Sequence, residues 1–303
     1  MLSSRSTSPE TTARNTARSV DAVYPAPQLH WVGDGFRVFG YFNAIPDASR
    51  RLSPFLLLDY HPAHYYPPST EARGVGVHPH RGFETVTLAF QGSVAHHDSA
   101  GNGGVIGAGD VQWMTAASGI LHKEYHEAEF TRRGGNFQMA QLWVNLPKAH
   151  KMDPPRYQGL SSSEIAQVDL PDGAGTVRVV AGAFNGTRGP AKTFSPIELY
   201  HVQLNAGGTV ELPLPQSYNT AFLIMDGELR FGDQSVAQEH EFVIFKHDGD
   251  MVRVSATTAA EFIVMSGEPI DEPVVKYGPF VMNTQQEIRE AFIDFGQGKF
   301  GVL

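Results

Sequence analysis

From Gln28 onward the apolar residues fall into short runs closed by Gly, Asp or Asn turns, the pattern of strands rather than of long helices. Leu29-His30-Trp31-Val32 and Phe36-Arg37-Val38-Phe39 flank Gly33-Asp34-Gly35 and predict a hairpin. Further strands are predicted over 55–58, 84–90, 94–97, 111–115 and 137–144. A polar, Pro-rich stretch over 147–167 then marks an interdomain connection. Beyond it, runs at 177–181, 198–204, 209–212, 221–225, 228–231, 242–245, 251–254 and 261–265 predict a second β-rich half. The two halves share a plan: Phe90-Gln91-Gly92-Ser93 is echoed by Ile224-Met225-Asp226-Gly227-Glu228, as in a diverged duplication. Helical periodicity is confined to 285–295, where Thr284 and Glu287 form a capping box and Ile288, Phe292 and Phe295 make one stripe.

The chain is therefore all-β with one C-terminal helix. Its predicted organisation is a disordered arm over 1–27, a first domain over 28–150, a connection with the first strand of the second half over 151–185, and a second domain over 186–303. The length of 303 residues suits two domains, and 31 Gly with 20 Pro suit many tight turns.

Charge and cysteine usage narrow the function. With 23 Lys plus Arg against 32 Asp plus Glu, the formal charge of −9 argues against holding nucleic acid or anionic lipid by bulk electrostatics. No run approaches the ~20 apolar residues of a membrane-spanning helix, and the N-terminus has no secretory core; the expectation is a cytoplasmic protein with a small-molecule partner. The absence of cysteine excludes disulfides, thiolate nucleophiles and cysteine-bound metal clusters, so any metal must rest on His, Asp or Glu. There are 13 His with which to build such a site.

The densest chemistry is His78-Pro79-His80-Arg81-Gly82-Phe83-Glu84, answered some forty residues later by Gly119-Ile120-Leu121-His122-Lys123-Glu124. Side chains two apart on a strand share a face, so His78 with His80 and His122 with Glu124 can converge from two strands. Imidazoles with one carboxylate suit a divalent first-row metal and can leave positions open for substrate. Glu84 has the strand parity of His80, and Gly82 between them can break the alternation; parity alone leaves Glu84 and Glu124 as alternatives. Phe83, Trp113 and Met114 adjoin the motifs and are candidates either for pocket walls or for core. The second half has His201, His240 and His247 but no comparable pair, so no metal is expected there.

These motifs, with Pro54-Phe55-Leu56-Leu57-Leu58-Asp59, Gly109-Asp110-Val111-Gln112-Trp113-Met114-Thr115-Ala116 and Tyr277-Gly278-Pro279-Phe280-Val281-Met282-Asn283-Thr284, resemble the pirin family of the cupin superfamily over nearly everything after Gln28. The resemblance implies two cupin (double-stranded β-helix, jelly-roll) barrels in tandem and one metal in the first. It implies His78, His80, His122 and Glu124 as ligands, with Glu84 outside the set. The metal expected first is Fe(II), with Ni, Mn, Cu or Zn accepted by the same donors. Lys123 stands where the family often has Ser, which would alter local electrostatics or pocket access. Some pirin-like proteins open the flavonol quercetin with O2, which implies a quercetin 2,3-dioxygenase-type reaction on a small aromatic substrate with Glu124 as catalytic base. Others are iron-dependent redox-sensing regulators that bind a protein partner. A sugar-phosphate isomerase ranks last, because no cluster of Lys and Arg adjoins the motifs.

Overall fold

In the computed structural model the described residues are 16–303, and most of them form two barrels of one plan. The first barrel has a seven-stranded antiparallel sheet in the order Arg156–Leu160, Val111–Thr115, Phe83–Gln91, Gly135–Asn145, Phe55–Tyr66, Phe36–Gly40, Leu29–Val32. Facing it is a four-stranded sheet, Gly74–His80, Ile120–His126, Val94–Asp98, Gly103–Ile106. The second barrel repeats this with Val20–Tyr24, Phe242–Phe245, Asn219–Asp226, Ala260–Gly267, Ile197–Leu204, Gly175–Ala181, Gln167–Asp169 against Thr209–Pro213, Met251–Ala256, Glu228–Phe231, Val236–Gln238. Strand for strand the two orders correspond. The echoed turns also match, with Gly92 at φ 80° and Gly227 at φ 79°, a backbone region that favours glycine.

The large sheets read as nearly continuous apolar runs because both their faces are buried. Along Gly135–Asn145, Ala140, Leu142 and Val144 face the second barrel, where they join Leu199, Leu223, Phe242 and Ile263 in one core. The alternate residues Met139, Gln141 and Trp143 face the barrel's own interior and line a cavity there. Each fully buried Leu, Ile or Phe contributes about 1.5–3 kcal/mol, so this shared core holds the two barrels as a unit.

The chain ends are exchanged between the barrels, which changes the expected boundaries. Residues 1–15 of the predicted arm lie outside the described residues, but Val20–Tyr24 is no arm: it is the edge strand of the second barrel, paired with Phe242–Phe245. Arg18 anchors it, 1% exposed and donating to the carbonyls of Gly249, Tyr218 and Pro215 and to Thr220 Oγ1. Part of the predicted connection, Arg156–Leu160, is likewise an edge strand, on the first barrel.

At the other end, the helix Gln285–Gly296 is capped by Thr284, whose Oγ1 accepts from the Glu287 amide. Ile288 and Ala291 bury against Phe280, Met282 and Phe300, whereas Phe292 and Phe295 remain about two-fifths exposed. This terminal segment packs on the first barrel rather than closing the second. Arg81 pairs with Asp294 at 2.9 Å and lies 4.6 Å over the Phe300 ring. Lys151 Nζ donates to the Gly82 and Val281 carbonyls and to Asn145 Oδ1, three acceptors for three N–H groups. A Cβ on Gly82 (φ 88°) would collide with the Val281 carbonyl, so glycine is required where the two segments touch.

Candidate metal centre

The strands Gly74–His80 and Ile120–His126 are neighbours, and their register sets His122 directly across from His78 and Ile120 across from His80. Alternation turns Ile120, His122, Glu124 and His126 inward, all buried, and leaves Lys123 outward. The three imidazoles meet with ring centroids 4.2–4.8 Å apart. One potential ligand atom from each of His78, His80 and His122 falls within 4.8 Å of the others.

Hydrogen bonding selects which nitrogen each ring offers. Nδ1 of His78 donates to the Gly76 carbonyl at 2.8 Å, and Nδ1 of His80 faces the Pro279 carbonyl at 3.4 Å. Both therefore present Nε2 as the free lone pair, the usual outer-shell device for fixing a ligating tautomer. Nε2 of His122 is buried with no hydrogen-bond partner. An orphaned imidazole nitrogen at the meeting point of two others fits a metal ion. Burial, with His78 alongside, pushes His80 down to about 3. Burial and then the charges of His80, His78 and His96 lower His122 well below the ordinary imidazole range. Both rings are thus held neutral, the form that binds metal.

Glu124 is inward and buried, and both its oxygens accept from Gln141 Nε2, at 3.2 and 3.0 Å. A register shift between His122 and Glu124 sets it apart from His78 and His80: its ligand atoms group instead with His122 and His96. His96 had no place in the sequence reading. It is fully buried, pairs across the sheet with Glu124, sits with Nδ1 3.5 Å from His122 Nδ1 and has Asp98 3.6 Å from its Nε2. The spacing His96-His97-Asp98 on a predicted strand is the signal that could have found it, since residues 96 and 98 share a face.

Glu84 stands elsewhere. The positive φ of Gly82 interrupts the strand count, and Glu84 falls on the face opposite the inward-facing Thr85 and Thr87, accepting from Thr115 Oγ1 at 2.7 Å. Burial pushes its carboxyl up to about 7. Trp113 and Met114 are wholly buried core, and Phe83, also buried, packs on Trp143 and the His80 ring. The aromatic residues of the pocket wall are Phe36 and Trp143, not these three. Lys123 is on the outward face of its strand, across from His97, and lines a groove that meets the cavity wall at Val75.

The cavity beside His78, His80 and Glu124 has a volume of about 320 Å3, within the usual range of small-molecule sites, and its walls are mainly apolar. A larger groove of about 680 Å3 on the second barrel contains no histidine. Among the described residues both groups able to hold a metal lie in the first barrel. At the corresponding register of the second, Val252 stands across from Leu212 as His122 does from His78.

The Pirin family profile matches residues 35–144 and the Pirin C-terminal cupin domain matches residues 199–301. A Pseudomonas aeruginosa protein named as a candidate quercetin 2,3-dioxygenase is 48% identical over 283 residues, covering 93% of this chain and 98% of its own. The crystal structure of a quercetin 2,3-dioxygenase from Acinetobacter baumannii superimposes with a TM-score of 0.91 at 42% identity, over 94% of this chain and 99% of its own. A bacterial pirin from Escherichia coli, solved in complex with nickel(II), shares the fold with a TM-score of 0.61 at 19% identity, over 82% of this chain and all of its own. The two-barrel architecture, the paired His motifs and these matches together make the chain a member of the pirin family, with the bicupin fold.

Proposed function

We propose that the protein is a metal-dependent dioxygenase of the quercetin 2,3-dioxygenase type, with one divalent first-row ion held by the grouped imidazoles of His78, His80 and His122 and with Glu124, whose oxygens lie nearer His122 and His96, closing on it as the fourth ligand. The observation that carries this reading is the buried, unpartnered Nε2 of His122 beside the imidazoles of His78 and His80, which line a mainly apolar cavity. The names of the P. aeruginosa and A. baumannii relatives support the same reaction class. Fe(II) is the first candidate ion; the donor set itself also accepts Ni, Mn, Cu or Zn.

The metal supplies Lewis acidity toward the substrate oxygens and a partner for O2. The residues supply the rest. Glu124, at the cavity wall, accepts the proton of the flavonol 3-hydroxyl, and Gln141 holds its carboxylate in place through both oxygens. Phe36, Val38, Met139 and Trp143 surround a flat aromatic body and exclude water. The balance is one flavonol and one O2 giving one carbon monoxide and one ester of the two aromatic fragments. Aerobic incubation with quercetin should show metal-dependent loss of its long-wavelength absorbance with release of carbon monoxide. Full activity after His122→Ala, or none in the metal-loaded protein, would sink the reading.

A further inference from the structure

The cavity wall holds one carboxylate that the proposed chemistry does not use. Asp59 lies on the strand Phe55–Tyr66, directly across from Gln141 on one side and Gly40 on the other. It lines the same cavity as His78, His80 and Glu124, and among the described residues no protein hydrogen bond reaches its side chain. Burial pushes it up to about 6 against the pull of His30 and Lys276. Gly40 lets the His30 ring approach on one side, since a Cβ there would lie 3.0 Å from His30 Cε1 and 3.2 Å from Asp59 Oδ1, and the carboxylate's other side faces the cavity. Lys276, from the terminal hairpin, sits with its ammonium 4.7 Å over the Trp143 ring and makes no ion pair with Asp59.

A mostly buried carboxylate without hydrogen-bond donors costs stability, and the charges of His30 and Lys276 offset burial only in part, since the group still stands raised. Leu57, Val38 and Met139 are apolar neighbours along the same wall. Directly opposed residues have Cβ atoms about 4.5–5.5 Å apart, so Asp59 and Gln141 adjoin, and Gln141 reaches Glu124. One polar line, Asp59 to Gln141 to Glu124, therefore runs from the imidazole end of the chamber along its apolar wall.

We infer that Asp59 is a specificity residue, accepting a hydrogen bond from a substrate hydroxyl remote from the metal-binding end. This deepens the dioxygenase reading and rests on it for the orientation of the ligand. The favoured ligand is a flat aromatic polyol with hydroxyl groups at two ends of its ring system, and compounds carrying only the metal-binding oxygens are weak ligands.

Binding to the metal-loaded full chain, followed by quenching of tryptophan fluorescence, separates this assignment from the reaction. The probes are quercetin and 3-hydroxyflavone, which keeps the 3-hydroxy-4-keto end and lacks every other hydroxyl. The wild-type protein should prefer quercetin by about tenfold or more, the scale of a hydrogen bond to a charged group. Asp59→Val should bring the two affinities within about threefold while leaving that for 3-hydroxyflavone unchanged. Asp59→Asn, which keeps shape and one acceptor, should cut the preference at least about threefold, since charge-assisted bonds are roughly twice as strong; it decides the matter if the Val variant does not fold. Equal affinities in the wild type, or an undiminished preference in a folded variant, overturns the assignment even if quercetin is consumed. A preference that depends on Asp59 without any turnover overturns the dioxygenase reading and supports the assignment. Binding of neither compound overturns both.

Discussion

Where the first barrel sets His122 across from His78, the second sets Val252 across from Leu212. The correspondence continues along both strands. The Leu214 amide donates to Asp250 at the step where His80 faces Ile120, so Leu214 stands for His80, and Val254, two residues after Val252, stands for Glu124. All four replacements are buried in the core of the second barrel with Phe222 and Phe262, while the first barrel keeps a cavity of about 320 Å3 at the same place. The backbone plan is shared to the order of the strands; the difference lies in four inward side chains and in the space left beside them. A duplicated fold can thus keep one copy as a site and spend the other on stability.

The comparison breaks first at the imidazoles. His122→Ala should remove the metal and lower quercetin turnover by more than the roughly 10–100-fold that losing an outer-shell partner costs. Elemental analysis of the purified variant should find it nearly metal-free with its fold retained by circular dichroism. Stoichiometric metal in this variant would show that His122 is no ligand.

The reciprocal change tests the other barrel. Val252→His places a larger polar ring in close-packed core with no cavity to receive it and should cost on the order of 3 kcal/mol in urea unfolding. His122→Val should leave the metal-free protein at least as stable as the wild type, because it removes a buried, unsatisfied nitrogen. If Val252→His were tolerated without loss, the second barrel would not be the packed counterpart described above.

A proton-linked difference comes next. On the face turned from the cavity, the first barrel carries Glu84, whereas the matching position of the second, counted from the paired Gly92 and Gly227, is Asn219, an uncharged amide that donates to the Arg50 and Ser53 carbonyls. Burial raises Glu84 to about 7, above the carboxylate value of about 4.5 expected when unfolded. Between those values the native chain binds a proton that the unfolded chain does not, so this group makes stability fall as pH rises through the window. The full swing is on the order of 1–3 kcal/mol. The buried histidines His61, His80, His122 and His126, held below the ordinary imidazole range, act in the opposite direction, so the test is a difference. In chemical unfolding from pH 4.5 to 7.5 the stability of the wild type relative to Glu84→Gln should fall as pH rises, and a pH-independent difference would remove Glu84 from the linkage.

What the sequence discloses follows from how local each signal is. His78, His80, His122 and Glu124 are legible because alternation on a strand is a local rule, and the barrel merely brings two such pairs together. Gln141 and Asp59 are not, since each joins the site only through sheet order, from strands that in the sequence read as generic β-runs. The N-terminal strand was hidden differently: the stretch before Val20 is Ser-, Thr- and Arg-rich, the composition of a disordered arm, yet Arg18 is buried on four acceptors supplied by residues some 200 positions away. No local rule carries that information. The exchange of ends likewise depends on tertiary partners, with Lys151 and Arg81 gripping the terminal segment beside the His80 motif.

The smallest effect is expected at Lys123, and it sharpens the comparison by showing where the two barrels still agree. Lys123 lies between inward His122 and Glu124 and points out; Arg253 lies between inward Val252 and Val254 and also points out, paired with Glu211 at 2.6 Å. The outward position is thus cationic in both copies, while the inward positions differ, histidine and glutamate in the first and two valines in the second. A solvated cation on the far side of a strand acts on the cavity only through screened, high-dielectric interactions. Lys123→Ser should therefore leave kcat/KM for quercetin within about twofold and stability within about 0.5 kcal/mol, checked by steady-state kinetics and thermal unfolding. A tenfold change in kcat/KM with stability unchanged would mean that the outward face communicates with the site, and that the sharp division between inner and outer faces of this strand does not hold.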